Sequence, residues 1–221
     1  MSKVKLIAYT QVDIPDLWKD NPSDIMAYCA RVSNPSNQNN SETAGKLLNY
    51  CVRNKHWSVF EMCNVVLEIN TTRDIARQIL RHRSFHFQEF SQRYADPNEL
   101  GFETREFRLQ DTKNRQNSIE VDKDNETTKS WKMKQDQLIH ETKLAYKWAI
   151  ENGIAKEQAR AVLPEGLTMS RMYMNGTVRD WIHYCQLRMG NGTQKEHREI
   201  AKECWVILCD LYPFLKKIES V

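Results

Sequence analysis

The side chains that could do chemistry are concentrated in residues 81–94, which read RHRSFHFQEFSQRY. The segment combines clustered arginines, two imidazoles, a carboxylate and hydroxyls. Arg73, Arg77 and Arg81 recur at every fourth position, which predicts three guanidiniums stacked along one stripe of a helix over residues 71–80. Such a stripe repels itself unless an anion lies against it, and the planar guanidinium fork suits phosphate or carboxylate. A phosphorylated ligand is therefore the first hypothesis.

Two other interpretations of these residues stay open. Asp74 lies beside Arg73 in the sequence, so part of the stripe could be an ordinary ion-paired helix surface. His82, His86 and Glu89 are spaced four and three apart, which on a helix could place two imidazoles and a carboxylate around a metal ion. The crowded arginines oppose a cation, so we expect no metal site.

The order of side chains in residues 81–94 resembles the signature of the flavin-dependent thymidylate synthases. Arg-His-Arg is followed after seven residues by Ser91, with Glu89 two positions before that serine and Arg-Tyr two and three positions after it. Further segments resemble the same family in the same order: Gln78, HWSVFE at 56–61, ARAVLP at 159–164 and TVRDWIHYCQLR at 177–188. The resemblance spans residues 27–211.

Two positions depart from the family pattern. The middle of the signature reads HFQE, with Gln88 where members often carry Asn, and Thr177 stands where the later flavin segment often begins with Asn. Gln88 keeps an amide one methylene further out, and Thr177 keeps a hydroxyl that can donate and accept. Hydrogen bonding stays available at both positions, with a different reach.

The resemblance implies an enzyme that reductively methylates deoxyuridine monophosphate (dUMP) to dTMP. Methylenetetrahydrofolate would be the carbon donor, NADPH the reductant and flavin adenine dinucleotide (FAD) the bound hydride carrier, with tetrahydrofolate as the folate product. Every participant is anionic, which accounts for the arginine-rich segments. The resemblance also implies a homotetramer with sites at subunit interfaces. The G-x-G-x-x-G fingerprint of a Rossmann fold is absent from the sequence, and the resemblance does not require it.

By the same resemblance the functional residues fall into three sets. The flavin set would bind the cofactor and consists of Ser58, Glu61, Arg81, His82, Arg83, Glu89, Thr177, Arg179 and His183. The nucleotide set would bind dUMP and consists of Gln78, Arg81, Glu89, Ser91, Gln92, Arg93, Arg160 and Arg188. The catalytic residues would be Arg188, which polarises the uracil ring, and Ser91.

Ser91 and Glu89 each have a second interpretation. A serine nucleophile normally needs an adjacent general base, and His86 lies five residues away. Following the family, we therefore predict that Ser91 orients or polarises the nucleotide and does not attack it. Glu89 could instead form a salt bridge with Arg93 that fixes the segment without touching a ligand.

The last motif lies on a helix predicted over residues 178–189. Arg179 and His183 are one turn apart, but Arg188 is about half a revolution from Arg179 by the 3.6-residue period. One helical face cannot present all three side chains to the same small ligand. Either the helix lies between two ligand-binding surfaces, or Arg188 lies beyond its end.

The remaining pattern predicts an α+β fold, with an antiparallel sheet flanked by helices in one domain over residues 1–221. Strands are expected at 4–9 and 63–69, and 89–94 is expected to pair antiparallel with 104–109. Helices are expected at 21–31, 41–54 with Ser41 as cap, 131–151, 155–163, 178–189 and 193–211. Residues 168–175 stay open between strand and loop.

Two further expectations concern residues 110–126 and the long helix over residues 131–151. Residues 110–126 are polar and nearly devoid of large apolar groups, which indicates an exposed insertion or lid. The long helix over 131–151 is expected to bury one apolar side against the core. That side consists of Leu138, Ala145, Trp148 and Ala149.

Composition fits a cytoplasmic enzyme. Thirty-two basic residues against 29 acidic ones give a net charge of +3, which is too mild for a nucleic-acid coat. No Cys-x-x-Cys pair is present, and the first five residues lack a secretory apolar core, so we expect reduced thiols. The cysteines are Cys29, Cys51, Cys63, Cys185, Cys204 and Cys209. No apolar run approaches the roughly 20 residues that cross a bilayer, so no membrane partner is expected.

Two rival functions come from other classes. A nucleic-acid-binding module could use the arginines for phosphates and the interleaved aromatic rings for base stacking. Those rings belong to Phe85, Phe87, Phe90 and Tyr94. A metal hydrolase could use His82, His86 and Glu89. Neither rival explains Arg160 and Arg188, so we expect no nucleic-acid partner and no metal.

Overall fold

Helices pack on an antiparallel sheet in the computed structural model, which describes residues 3–14, 21–121 and 125–218. The strands are β1 (Val4–Tyr9), β2 (Asn64–Thr72), β3 (His86–Glu89), β4 (Arg108–Gln110), β5 (Ser118–Glu120) and β6 (Met169–Thr177). The helices are α1 (Ser23–Ala30), α2 (Ala44–Arg53), α3 (Arg73–Ile79), α4 (Glu126–Glu151), α5 (Lys156–Ala159), α6 (Val178–Arg188) and α7 (Lys195–Leu211). Short 3-10 turns lie at Pro35–Asn37, Trp57–Glu61, Pro97–Glu99, Arg160–Val162 and Pro213–Lys217. The predicted α+β class, with helices flanking an antiparallel sheet, is confirmed.

The main sheet has four strands in the order β1-β2-β6-β3, and each strand is antiparallel to its neighbours. Its central pair, β2 and β6, is in register over nine consecutive positions. In β2, Val65, Leu67 and Ile69 are fully buried, whereas the side chains between them are half-buried. This alternation turns one face of the sheet toward the core and leaves the other face open.

Each central strand continues directly into a helix, β2 into α3 and β6 into α6. Because the two strands are antiparallel, these helices start at opposite ends of the sheet and run back over the same face. Ile75 and Ile79 of α3 and Trp181 and Cys185 of α6 are fully buried in one core cluster with the sheet. Helix α7 packs against both helices. The C-terminal ends of α3 and α6 are thereby brought close together.

The predicted pairing between residues 89–94 and 104–109 is wrong. Strand β3 pairs with β6, and β4 pairs with β5 in a separate hairpin. Residues 168–175, which the sequence left open between strand and loop, form most of β6. Alternate β6 side chains such as Met172 and Met174 are fully buried, and the strand pairs with β2 along one edge and with β3 along the other.

The apolar side predicted for the long helix α4 does not face the core. Three of its four residues are exposed: Leu138, Ala145 and Trp148. The buried positions of α4 are Gln135, Thr142, Tyr146 and Ala149. Gln135 exchanges two hydrogen bonds with the backbone of Arg105, at 2.7 and 2.9 Å. The helix is thus held by a narrow, partly polar stripe, and its apolar side faces outward.

Two local expectations also differ from the structure. Helix α2 begins at Ala44, with Thr43 and not Ser41 at the N-cap and with no side-chain cap. Residues 110–126 carry the turn of the β4–β5 hairpin and β5 itself, so part of this mostly exposed segment has regular structure. Residues 122–124 lie outside the described residues. Across the ranges that the structure describes, no helix is both long and apolar enough to span a bilayer.

Candidate active site

The C-terminal end of α6 meets the turn that follows α3. Arg188 is the last residue of α6, and its Nε donates a hydrogen bond of 2.9 Å to Nε2 of His82. Burial and then the charge of Arg188 lower the pKa of His82 to about 4, so this imidazole is neutral at pH 7. Because Nε2 accepts, the ring proton lies on Nδ1. The contact joins a member of the nucleotide set to a member of the flavin set.

The N-terminal half of α6 meets the 3-10 turn Trp57–Glu61. Arg179 forms an ion pair with Glu61, and the ring of His183 packs edge-on against the tryptophan of this turn with centroids 4.5 Å apart. Burial and the neighbouring Arg179 lower the pKa of His183. Ser58 is exposed in the same turn. Four members of the predicted flavin set are therefore gathered at one place.

These two contacts border a common cavity of about 400 Å³. Its lining residues are His82, Ser84, Phe85, Arg179, Asp180, His183, Tyr184 and Leu187. Of the two arrangements that the sequence left open, Arg188 lies within the helix and not beyond its end. Helix α6 thus presents Arg179 and His183 to the Trp57–Glu61 turn and Arg188 to His82.

Thr177 is used to start α6. Its backbone N–H donates to Oδ2 of Asp180 at 2.9 Å, its hydroxyl contacts the same oxygen at 2.6 Å, and the hydroxyl also accepts from the backbone N–H of Asp180 at 3.2 Å. This is a capping box, in which the two residues satisfy each other's free groups. Asp180 was not among the predicted site residues, although the Thr-x-x-Asp spacing carries the signal.

Gln78 is tied into a buried network. Its Nε2 donates to Oε1 of Gln194 at 2.9 Å, and its Oε1 faces Nδ1 of His197 at 3.3 Å. His197 is fully buried, and burial, then the charges of Arg188 and His82, lower its pKa to about 3. Sequence reasoning missed Gln194 and His197, because their role depends on α7 packing against α3 and no short motif marks them.

Two of the three arginines in the predicted stripe contact the same carboxylate. Arg77 donates to Glu165 at 2.8 Å, and Nε of Arg73 lies 3.7 Å from the same carboxylate. Part of the stripe is therefore an ion-paired helix surface, as the alternative interpretation held, but the partner is Glu165, and Asp74 binds Arg105 at 2.8 Å instead. The single three-guanidinium stripe is also wrong, because α3 ends at Ile79 and the arginine at 81 lies beyond it.

Two arginines of the flavin set remain available for a ligand. Arg81 and Arg83 are exposed, and neither has an ion-pair partner among the residues that the structure describes. Glu89 accepts a hydrogen bond of 2.7 Å from Ser170 and lies 3.6 Å from Arg73, so the proposed salt bridge from Glu89 to Arg93 is wrong.

The loop after β3 carries three members of the nucleotide set, Ser91, Gln92 and Arg93. Arg93 lies 3.6 Å from Glu157 of α5, which leads directly to Arg160, a fourth member. Gln92 is 4% exposed, and its Nε2 is buried without a hydrogen-bond partner. An unpaired buried donor costs about 1–3 kcal/mol, so this nitrogen is a ready donor for a ligand acceptor.

Ser91 is not arranged as a nucleophile. Its Oγ accepts a hydrogen bond of 3.4 Å from the backbone N–H of Arg93. His86 is exposed on β3, and no hydrogen bond joins it to Ser91 within the described part of the chain. Among the described residues, Ser91 therefore has no hydrogen bond to a side chain that could act as an activating base, and its orienting role stays a prediction.

The side chains on which the two rival functions rest lie in different surroundings, and Tyr94 is 80% exposed whereas Phe85 is buried. Phe85 is 5% exposed and packs edge-on against Trp181 at 4.8 Å, so its ring serves the core and does not stack bases. In the ranges 3–14, 21–121 and 125–218, no three His, Cys, Asp or Glu side chains are grouped as metal ligands. His82, His86 and Glu89 are separated because the segment is a turn and a strand, not a helix.

A second, larger cavity of about 820 Å³ lies between α2 and the C-terminal 3-10 turn. It is lined by four cations and no carboxylate: Lys46, Arg53, Lys55 and Lys217, together with Asn49, Val52, Trp57, Gln186 and Ile218. Trp57 is shared with the His183 contact, so this basic cavity adjoins the flavin set. Its charge suits a ligand that carries several anionic groups.

Comparison with known proteins gives the family. The profile described as "Thymidylate synthase complementing protein" matches residues 5–214. A probable flavin-dependent thymidylate synthase of Paramecium bursaria Chlorella virus 1 is 48% identical over 214 residues, covering 96% of each chain. The flavin-dependent thymidylate synthase of Synechocystis sp. is 50% identical over 194 residues, covering 87% of each chain. This chain belongs to the flavin-dependent thymidylate synthase family.

The fold of this family member also resembles a solved structure of low sequence identity. The UMP/dUMP methylase PolB from Streptomyces cacaoi, bound with 5-Br UMP, has a TM-score of 0.78 at 20% identity. The match covers 98% of this chain and 92% of PolB. The predicted family is confirmed by the sequence relatives, and the predicted fold class by the structure and this neighbour.

The residues of the flavin set fit the flavin that gives the family its name. The exposed guanidiniums of Arg81 and Arg83 suit a pyrophosphate, and the neutral imidazoles of His82 and His183 line a concave space. Of the two departures from the family pattern, Thr177 is taken up in the helix cap, and Gln88 is exposed on β3.

No cysteine of this family member is set up as a thiolate nucleophile among the described residues. Cys185 is fully buried, and burial raises the pKa of its thiol well above the usual value. Burial also raises the pKa of Cys63 to about 12. A nucleophilic thiol needs a lowered pKa and access to the substrate.

Proposed function

We propose that this chain methylates dUMP to dTMP, with methylenetetrahydrofolate as carbon donor, NADPH as reductant and bound FAD, releasing tetrahydrofolate. We propose that residues 1–221 act as one catalytic domain. Family membership supports this function, as do the two flavin-dependent thymidylate synthases and the UMP/dUMP methylase that the chain resembles. The observation that carries it is the bond from Arg188 to His82, which links the nucleotide and flavin sets.

The chain's own residues would act by binding and polarisation. Nε of Arg188 is occupied by neutral His82, which leaves the terminal guanidinium nitrogens to polarise a uracil carbonyl. The unpaired Nε2 of Gln92 and the hydroxyl of Ser91 would hold the nucleotide from the loop after β3. FAD, when bound, supplies hydride transfer.

We also propose that the basic cavity receives the anionic part of one co-substrate, the folate or NADPH. Its four cations have no ion-pair partner in the described ranges, and its Trp57 packs against His183 of the flavin set. Replacing Lys46 and Arg53 together by Glu should raise the KM for one co-substrate and leave the dUMP KM near wild type. Lys202, exposed on α7, is the matched control for loss of a surface cation. KM values for both co-substrates that stay at the wild-type level in the double variant would contradict this assignment.

A homotetramer with sites at subunit interfaces is supported by the outward apolar side of α4. Trp131, Leu138 and Trp148 are 43%, 49% and 60% exposed, and with Ala145 they form one stripe of the helix. A contiguous exposed apolar stripe marks an interaction surface. Trp148→Glu should give a smaller assembly by light scattering, while Lys143→Glu, about 140° around α4 from Trp148 and exposed, should not. Unchanged assembly mass in Trp148→Glu would refute this surface.

The test of the main proposal is an absorbance spectrum of purified protein with and without dUMP, followed by product analysis. We expect a flavin spectrum that dUMP perturbs, consumption of NADPH and formation of dTMP and tetrahydrofolate. A colourless protein that carries nucleic acid, or dihydrofolate as the folate product, would overturn the proposal. We propose a cytoplasmic location, since all six cysteines are unpaired thiols.

A further inference from the structure

Five side chains form an unbroken hydrogen-bond chain from α7 to α6. Glu196 Oε2 is 2.9 Å from Gln194 Nε2, and Gln194 Oε1 is 2.9 Å from Gln78 Nε2. Gln78 Oε1 is 3.3 Å from His197 Nδ1, and His197 Nε2 is 3.0 Å from the hydroxyl of Tyr184. We call this series the amide relay. Its middle member is Gln78 of the nucleotide set, and its other members have no assigned role.

The direction of the amide relay is set at its acidic end. Glu196 is 8% exposed and forms ion pairs with Arg108 and, at 3.6 Å, with Arg105. Burial alone would raise the pKa of Glu196, but its own backbone N–H and the two arginines outweigh burial and lower that pKa. Glu196 is therefore a carboxylate, which can only accept hydrogen bonds.

The donor and the acceptor of each following hydrogen bond in the relay are then fixed. Gln194 must turn its NH₂ group to Glu196, which leaves its carbonyl for Gln78. Gln78 must therefore donate to Gln194 and turn its own carbonyl to His197. That carbonyl requires a proton on Nδ1 of His197, so Nε2 accepts from the hydroxyl of Tyr184. Burial raises the pKa of Tyr184 well above its usual value, which keeps this hydroxyl protonated as a donor.

The relay leaves some hydrogen-bonding groups of the Gln78 amide free, and it fixes where they lie. An amide has two N–H groups and two carbonyl lone pairs, and the relay uses one of each. One N–H and one lone pair remain, and their positions cannot exchange without breaking two bonds. At its far end the relay also supports the catalytic candidates, because the ring of Tyr184 packs edge-on against His82 at 4.9 Å and His82 holds Arg188.

We propose that His197, Gln194 and Glu196 are positioning residues that fix the Gln78 amide in one orientation for the uracil of the nucleotide. The proposal rests on the proposed function, because it takes Gln78 as a nucleotide ligand. A pyrimidine ring offers carbonyl acceptors and an N–H donor at fixed places. If the Gln78 amide were held in the opposite orientation, its carbonyl would face a carbonyl of the pyrimidine and its N–H would face the pyrimidine N–H, and neither pair could form a hydrogen bond.

The decisive variants are His197→Asn and His197→Gln. Counting bonds from Cα, the Asn side-chain nitrogen takes the place of Nδ1 as a donor, whereas the Gln side-chain oxygen takes the place of Nε2 as the acceptor of the Tyr184 hydroxyl. Asn can therefore keep the bond to Gln78, and Gln can keep only the bond to Tyr184. We expect the dUMP Kd by titration calorimetry to rise less than about threefold in His197→Asn and about tenfold in His197→Gln, the usual range for one lost hydrogen bond.

Two controls separate positioning from general damage. Flavin content and melting temperature should be alike in the two variants, since each keeps one of the two buried bonds. In a Gln78→Ala background the difference between Asn and Gln at position 197 should vanish, because the effect passes through Gln78. Equal dUMP Kd values for the two variants, or a difference that persists without Gln78, would overturn the proposal.

A measurement on the unaltered protein keeps the test independent of variant folding. Nitrogen-15 NMR of histidine-labelled protein should show the Nδ1–H tautomer for His197. The Nε2–H tautomer would reverse the relay and refute it. If wild-type protein does not bind dUMP at all, the proposed function fails and the nucleotide role of Gln78 fails with it. The tautomer would still decide whether the relay has the stated direction.

Discussion

At the residue scale, Arg188 connects the two predicted ligand sets through a single bond to neutral His82. We predict that Arg188→Ala lowers kcat about 10²- to 10³-fold, the usual cost of removing one electrostatic contact to the transition state. The flavin absorbance should be largely retained, because the guanidinium acts on the uracil. Arg188→Lys should not restore the rate, since an ammonium lacks the Nε that holds His82. Activity of Arg188→Ala within a few-fold of wild type would rule out the role.

Arg81 is the residue that both predicted sets share. Arg81→Ala should weaken FAD and dUMP binding alike, each by about 1.5–3 kcal/mol, the range for a hydrogen bond to a charged group. Arg77→Ala is the matched control, because Arg77 lies one turn earlier but is already paired with Glu165 at the surface. That control should change either affinity by less than about 1 kcal/mol. Weaker flavin binding with unchanged dUMP affinity would show that Arg81 is not shared.

At the element scale, the site depends on how closely the turn after α3 approaches β6. A Cβ on Gly176 would lie 2.4 Å from the ring of Phe85, which lines the 400 Å³ cavity. Gly176→Ala should therefore force the ring outward and lower the free energy of unfolding by about 1–3 kcal/mol.

A second glycine provides the control for that prediction. A Cβ on Gly45 of α2 would meet nothing within 4 Å, so Gly45→Ala should stabilise the protein by about 0.5–1 kcal/mol through helix propensity. Urea unfolding of both variants measures the contrast. A Gly176→Ala protein as stable as wild type would show that the ring can move away freely.

At the scale of the whole molecule, two neutral histidines, the half-buried His82 and the buried His197, make the fold acid-sensitive. His82 and His197 have pKa values lowered by burial to about 4 and about 3. Both would have a pKa near about 6.5 in the unfolded chain. Since the folded pKa is depressed, their contribution is complete above pH 6.5 and is lost as the pH falls toward 4.

We therefore predict lower urea stability at pH 5 than at pH 7.5, with a loss on the order of 1–2 kcal/mol from His197. The carboxylates of Glu165 and Glu196 have a lowered pKa, so their protonation affects the stability at pH values below the range from 5 to 7.5. His82→Gln should flatten part of the dependence because it removes one of the rings whose pKa the fold lowers. Equal stability of the wild type at pH 5 and 7.5 would contradict the neutral assignment.

The amino-acid sequence by itself determined the family, the α+β class, the approximate positions of the helices and the strands β1 and β2. These features are local, because the Arg-His-Arg-x₇-Ser spacing and the alternation in β2 are legible within a few residues. The apolar stripe of α4 could also be predicted from the sequence, but whether it faces the core or the solvent could not. The sequence shows that Leu138 and Trp148 share a side, and only the packing shows that Gln135 faces inward instead.

Tertiary structure alone decided which side chains meet. The pairing of β3 with β6, the pairing of Glu165 with two arginines, and the two contacts of Gln78 in the amide relay join residues about 80 to 120 positions apart. No local pattern encodes such contacts, because they follow from how two helices run back over one sheet and how α7 packs on them. Arg188 illustrates the division: its motif suggested a role, but its bond to His82 exists only because the ends of α3 and α6 converge.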